Sequence, residues 1–191
     1  MHQKADILAL YFHAKKELLK LPENIEYHSW MHTKTFFDCV CYIAELEEIP
    51  EDKLILLKTA ALYHDRGYTD RTEDHEEKSA EIAKKELQKF SYSEEQINVI
   101  ICLILSTKVP TAPKDRLEMI MCDADLEALG RDYFPYTSEL LRNESGKSKE
   151  EWAQIQIKFL KSHEYYTDSA KKLFNRQKEE NLKALLENKN T

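Results

Sequence analysis

Imidazoles and carboxylates recur at three separated places whose surroundings are apolar. In Ala60-Ala61-Leu62-Tyr63-His64-Asp65-Arg66-Gly67, His64 and Asp65 stand side by side at the end of a segment that is apolar or small at nearly every position. A buried carboxylate is unfavourable unless a cation or several donors meet it, so a metal ion is one partner for this pair. The other reading of the dipeptide is a helix-ending Asp beside a hydrogen-bonded core His. His32 lies on an apolar stripe with Phe36 four residues on, which turns it inward. In Cys122-Asp123-Ala124-Asp125-Leu126 the two carboxylates are two residues apart, about 200° around a helix, so they cannot both face one ion. Asp125 has Met121, Cys122, Ala128 and Leu129 at helical offsets, an apolar surround, whereas Asp123 has Glu127 beside it and reads as half-solvated. Asp125 is therefore expected to be a ligand, and Asp123 to orient a ligand or a water. Two neutral imidazoles and two carboxylates would neutralise a divalent ion and leave coordination positions open for water. Mixed nitrogen and oxygen ligands admit Mg, Mn, Fe, Ni or Zn.

His32, His64-Asp65 and Asp125, in that order, resemble the H…HD…D signature of the HD superfamily of metal-dependent phosphohydrolases, over about residues 27–131. Further matches to the small bacterial-type members are Tyr27-His28-Ser29-Trp30-Met31-His32-Thr33, Gly67-Tyr68 after His-Asp, His75-Glu76, and Leu129-Gly130-Arg131. The resemblance implies His32, His64, Asp65 and Asp125 as ligands of a divalent metal ion in an all-α HD-domain bundle. The first stretch is also similar to the Y-H-N-x-x-H motif of cyclic nucleotide phosphodiesterases, which implies His28 as general acid. Ser29 stands in place of the motif's Asn, which turns the expectation away from cyclic nucleotides.

The implied reaction is hydrolysis of a phosphate ester or phosphoanhydride. A divalent ion acidifies a water and polarises a phosphoryl oxygen, His28 protonates the leaving oxygen, and Asp123 orients the water. A phosphorylated substrate also needs basic groups at the site mouth. Lys108, Arg71 and Arg131 are candidates, each with a solvated surface position as its alternative. Arg66 follows His-Asp where the family has a small or apolar residue, and either reaches a phosphate or turns to solvent. His75 binds a second metal or the substrate, or faces water. Trp30, Tyr42, Tyr63 and Tyr68 either line a base-stacking pocket or belong to the core. The alternative to an enzyme is a non-catalytic HD-fold regulator that binds a metal and a nucleotide or partner.

The elements that must position these groups read as helices throughout. Three Gly and five Pro in 191 residues leave few tight turns, and alternating β-branched runs are absent. Helices are expected at about 3–20, from the His28 connector to Pro50, from Glu51 to Asp65 or Arg66, from Asp74 to about Phe90, and from a Ser93-x-x-Gln96 capping box. Further helices are expected at about 114–129, 136–142, from a Ser148-x-x-Glu151 box, and at 167–187. The whole is read as one domain, an HD core at about 27–131 and a helical extension at about 132–191. Trp152, Phe159, Tyr165, Tyr166 and Phe174 of that extension are expected to pack on the core and cover one wall of the pocket.

Composition narrows the partners. The 28 Lys and Arg are spread along a chain with 35 Asp and Glu, net −7, which argues against nucleic acid. The longest apolar run, Val99 to Leu105, is far short of the roughly 20 residues a spanning helix requires, so no membrane partner is expected. The N-terminal stretch lacks the apolar core of a signal peptide, and a cytoplasmic home is expected. Cys39, Cys41, Cys102 and Cys122 read as reduced core residues. A small phosphorylated substrate, a nucleotide first, is the expected partner, and a homodimer is left open.

Overall fold

The computed structural model describes residues 6–70 and 72–188, so Arg71 lies outside the described residues. Among those residues the chain is all-α, with no strand. The helices are α1 (Ile7–Leu18), α2 (Trp30–Leu46), α3 (Glu51–Tyr63), α4 (His75–Leu87), α5 (Glu94–Leu105), α6 (Arg116–Asp125), α7 (Phe134–Ser145), α8 (Lys149–Ser162) and α9 (Asp168–Asn188). Short 3₁₀ turns follow α3, α4 and α6.

α3 is the axis. Leu56, Leu57 and every residue from Thr59 to Tyr63 are buried, and α1, α2, α4, α5 and α6 pack around it. A helix apolar on all sides must be enclosed in this way. His64 follows directly, so the side chains that could do chemistry leave the bundle from its most enclosed element.

Helix starts follow their expected side-chain chemistry. Ser93 and Gln96 form a reciprocal capping box, as do Ser148 and Glu151. Asp115 accepts the backbone N–H groups of Leu117 and Glu118 at 2.8 and 2.9 Å. α4 differs: Asp74 precedes it in the left-handed region at φ 49° and makes no side-chain cap, bonding Lys108 instead.

Two glycines allow contacts that no other residue would. A Cβ on Gly67 would lie 2.0 Å from the His75 carbonyl oxygen, so Gly67 lets the turn after α3 touch the start of α4. A Cβ on Gly130 would lie 2.4 Å from Phe174 Cβ, so Gly130 admits α9 to the turn after α6. Gly67 does not take the positive φ expected of a helix stop; its missing side chain is what matters.

The C-terminal helices join the core. Tyr165, Ala170 and Phe174 belong to the same buried cluster as α2, α3 and α6. Cys39 and Cys122 are buried, but Cys102 is exposed on the outer side of α5, against expectation. No helix among the described residues is long and apolar enough to cross a membrane.

Candidate metal centre and catalytic cleft

α2, the end of α3 and the end of α6 bring ligand atoms of His32, His64 and Asp125 within 4.8 Å of one another, with Asp65 beside the two histidines. His32 Nε2 lies 3.1 Å from His64 Nε2, 3.3 Å from Asp65 Oδ2 and 3.3 Å from Asp125 Oδ1. His64 Nε2 lies 3.0 Å from Asp65 Oδ2 and 3.6 Å from Asp125 Oδ1. Ligand atoms 2.0–2.2 Å from one ion at tetrahedral or octahedral angles stand about 3–3.5 Å apart, which is the spacing seen.

The donors are also in the right state. His64 Nδ1–H donates to the Ala61 carbonyl at 2.9 Å, so its Nε2 presents a lone pair to the cluster. Asp65 Oδ2 is fully buried and has no hydrogen-bond donor. Lone pairs facing lone pairs in a buried site call for a positive charge between them. Burial alone would lower the His32 imidazole, but the adjacent Asp125 and Asp65 carboxylates outweigh it and push it up to about 10. Burial would likewise raise Asp65, yet the His64, His32 and His75 rings hold it well below the usual carboxylate range. Carboxylates that favour a cationic ring beside them also favour a divalent cation.

The two carboxylates of α6 part as the helical angle requires, but with burial opposite to expectation. Asp125 faces the cluster and its side chain is 19% exposed, whereas Asp123 is completely buried. Asp123 accepts Tyr166 N–H at 2.7 Å, Thr167 N–H at 2.8 Å and Thr167 Oγ1–H at 2.7 Å. Both its oxygens hold the loop before α9, so the water-orienting role expected of it is replaced by a structural one.

His28 and His75 flank the cluster. The His28 ring stacks on Tyr68 with centroids 4.1 Å apart. Its Nδ1 lies 2.5 Å from Glu144 Oε2, while Glu144 Oε1 accepts the backbone N–H groups of Tyr27 and His28. Burial would raise Glu144, but the His28 ring and those two amides hold it below its ordinary range. Ionised Glu144 accepts only, so Nδ1 of His28 carries the hydrogen and Nε2 is turned outward. Sequence reading missed Glu144 altogether, because Asn143 to Gly146 read as a turn and α7 continues through Ser145. His75 Nε2 lies 3.4 Å from Asp65 Oδ1 and its ring packs on Tyr68, so it faces the site and not water.

The basic residues expected at the mouth are committed elsewhere. Arg66 is 3% exposed, lies over the Tyr63 ring and approaches Glu86 at 3.5 Å, so it reaches neither a phosphate nor solvent. Lys108 Nζ is bound by Asp74 at 2.8 Å and Glu77 at 2.5 Å. Arg131 pairs with Glu127 and lies 4.7 Å from the Phe174 ring centroid. Trp30 and Tyr63 are core residues and Tyr42 is exposed, which leaves Tyr68 alone of the four aromatic candidates at the site.

A cavity of about 280 Å³ opens over the cluster. His28, His32, Asp65, His75 and Asp125 form one end; Thr107 and Val109, with Trp152 and Phe159 of α8, form its walls. α8 therefore covers the pocket as expected.

A family model for the HD domain matches residues 30–129. No curated protein matches the chain. Among solved structures, the crystal structure of Bacillus subtilis YpgQ in complex with ADP has a TM-score of 0.70 to this chain at 18% identity, covering 95% of this chain and 92% of that one. That likeness is one of fold and extends through the C-terminal helices.

Proposed function

Because the chain belongs to the HD domain family, we propose that it is a metal-dependent hydrolase of a phosphate ester or phosphoanhydride in a nucleotide or another small phosphorylated compound. The observation that carries the reading is the convergence of His32, His64 and Asp125, with an unpartnered buried oxygen of Asp65 beside the two imidazoles. These four residues would hold the ion, which when bound supplies an acidified water and a polarised phosphoryl oxygen.

The rest falls to side chains of the chain itself. His28, fixed through Nδ1 by Glu144 and stacked on Tyr68, turns Nε2 toward the cavity and delivers a proton to the leaving oxygen. Glu144 fixes the tautomer and orientation of that ring, as a carboxylate does for a catalytic imidazole. His75, which packs on the same Tyr68 ring with its centroid 5.8 Å from that of His28, contacts the phosphoryl group beside it. With Arg66, Lys108 and Arg131 engaged by other partners, these two imidazoles and the cation neutralise the phosphate. A nucleotide is the preferred substrate class, since the YpgQ structure of like fold holds ADP.

Metal analysis of purified protein beside His64→Ala, with a turnover screen of nucleotides and a generic phosphodiester, tests the reading. A bound divalent metal that the folded variant loses, with turnover lost in His28→Ala but metal retained, is the expected result. Absence of metal and turnover from the unmodified protein refutes it.

A further inference from the structure

Part of the cavity lining, from α7 and α8, takes no part in the chemistry above. Leu141, Trp152 and Phe159 make it apolar, and all three lie outside the matched family segment. The Trp152 indole N–H is held by Ser138 Oγ at 2.9 Å, which fixes the ring as part of the wall. One polar group interrupts this surface. Gln156 is 6% exposed, lines the cavity, and makes no hydrogen bond among the described residues.

An amide offers two donors and an acceptor, and burying it without partners is unfavourable. Gln156 and Trp152 line both this cavity and the groove behind α8. A ligand in the cavity can therefore meet the amide. An alkyl chain would leave it unsatisfied, and a sugar would bring hydroxyls against the apolar faces of Trp152 and Phe159. A flat ring with a hydrogen-bonding edge suits both, and paired donor and acceptor atoms on a purine or pyrimidine edge match an amide.

We propose that Gln156 is a specificity-determining residue that reads the edge of a nucleobase held by the apolar side chains of α8 and α7, in the cavity that the metal-ligand cluster also lines. The proposal rests on the reading that the cluster holds the phosphate end of the substrate.

Dissociation constants of the Mn²⁺-loaded protein for adenosine diphosphate and for inorganic pyrophosphate give its preference for a base. Gln156→Leu, an apolar side chain in an apolar wall, is expected to reduce that preference about tenfold, the loss of one hydrogen bond. Gln156→Glu keeps the shape and deletes the donors, and is expected to change the order among the adenosine, guanosine, cytidine and uridine diphosphates. Thermal melting of both variants checks that they fold. A preference and order unchanged in both overturn the assignment, as does a parent protein that binds pyrophosphate as tightly as the nucleotide. A parent protein that prefers the nucleotide but hydrolyses none leaves the assignment standing and removes the hydrolase reading.

Discussion

Glu144 sits in the last turn of α7, where the partial negative charge of a helix C-terminus makes an acidic side chain unfavourable. Three donors offset this: the His28 ring and the amides of Tyr27 and His28. A local rule broken and then compensated in this way marks a functional position. Glu144→Gln is expected to lower turnover by about a hundredfold, of the order that general acid catalysis contributes, with metal content unchanged. Steady-state kinetics beside metal analysis checks it. Asp123 makes the opposite case. Its carboxylate braces residues 166–167, so Asp123→Ala is expected to cost about 1–3 kcal/mol of stability for unsatisfied buried donors, while the metal remains bound. Denaturant unfolding with metal analysis separates this from a role in the chemistry. Helical angle alone divided Asp123 from Asp125, but which of them is enclosed depended on residues 166–167, the loop before α9 that closes over Asp123.

Among the elements, the turn after α3 and the start of α4 meet in close contact at Gly67 and His75. His75 enters the site because Gly67 lets its carbonyl approach, and Gly67→Ala forces the two segments apart. A loss of about 1–3 kcal/mol is expected from such overpacking, together with weaker substrate binding as His75 moves. Thermal melting and KM report the two effects. α8 and α9 carry a pH response of their own. His163 lies between them, its ring 4.5 Å from Tyr165 and its Nδ1 3.4 Å from Lys178 Nζ. Burial, then Lys178, lowers it from 6.5 to about 4. The folded state thus disfavours the protonated ring, so its contribution is complete above pH 6.5 and is lost as pH falls toward 4. His163→Gln is expected to flatten the melting temperature across that window. Helix positions were largely legible from the sequence, because capping boxes and apolar periodicity are local. The end of α7 was not, since Asn143, Ser145 and Gly146 carry turn chemistry while the helix continues to a left-handed Gly146.

At the scale of the whole molecule, the HD segment is not sealed by itself. Tyr165, Ala170 and Phe174 complete its core, and Asn181 holds the carbonyls of Leu129 and Arg131 at 2.9 and 2.8 Å. A chain ending at residue 131 is expected to lose cooperative thermal unfolding, as circular dichroism would show. A divalent ion that binds only the folded chain should stabilise it by about 2.7 kcal/mol at a hundredfold excess over its Kd; chelation should reverse the rise in melting temperature. From the sequence by itself came the all-α class, the enclosed α3, and His32, His64, Asp65 and Asp125 as a candidate ligand set, because periodicity, capping and the unfavourable burial of charge act within a few residues of each other. The tertiary structure decided the rest. Glu144 meets His28 across 116 residues, Asp123 turns away to the α9 loop, and Arg66 and Lys108 find carboxylates on α4 or at its start. Each of those pairings depends on which distant helix packs nearby, and no local spacing encodes that choice.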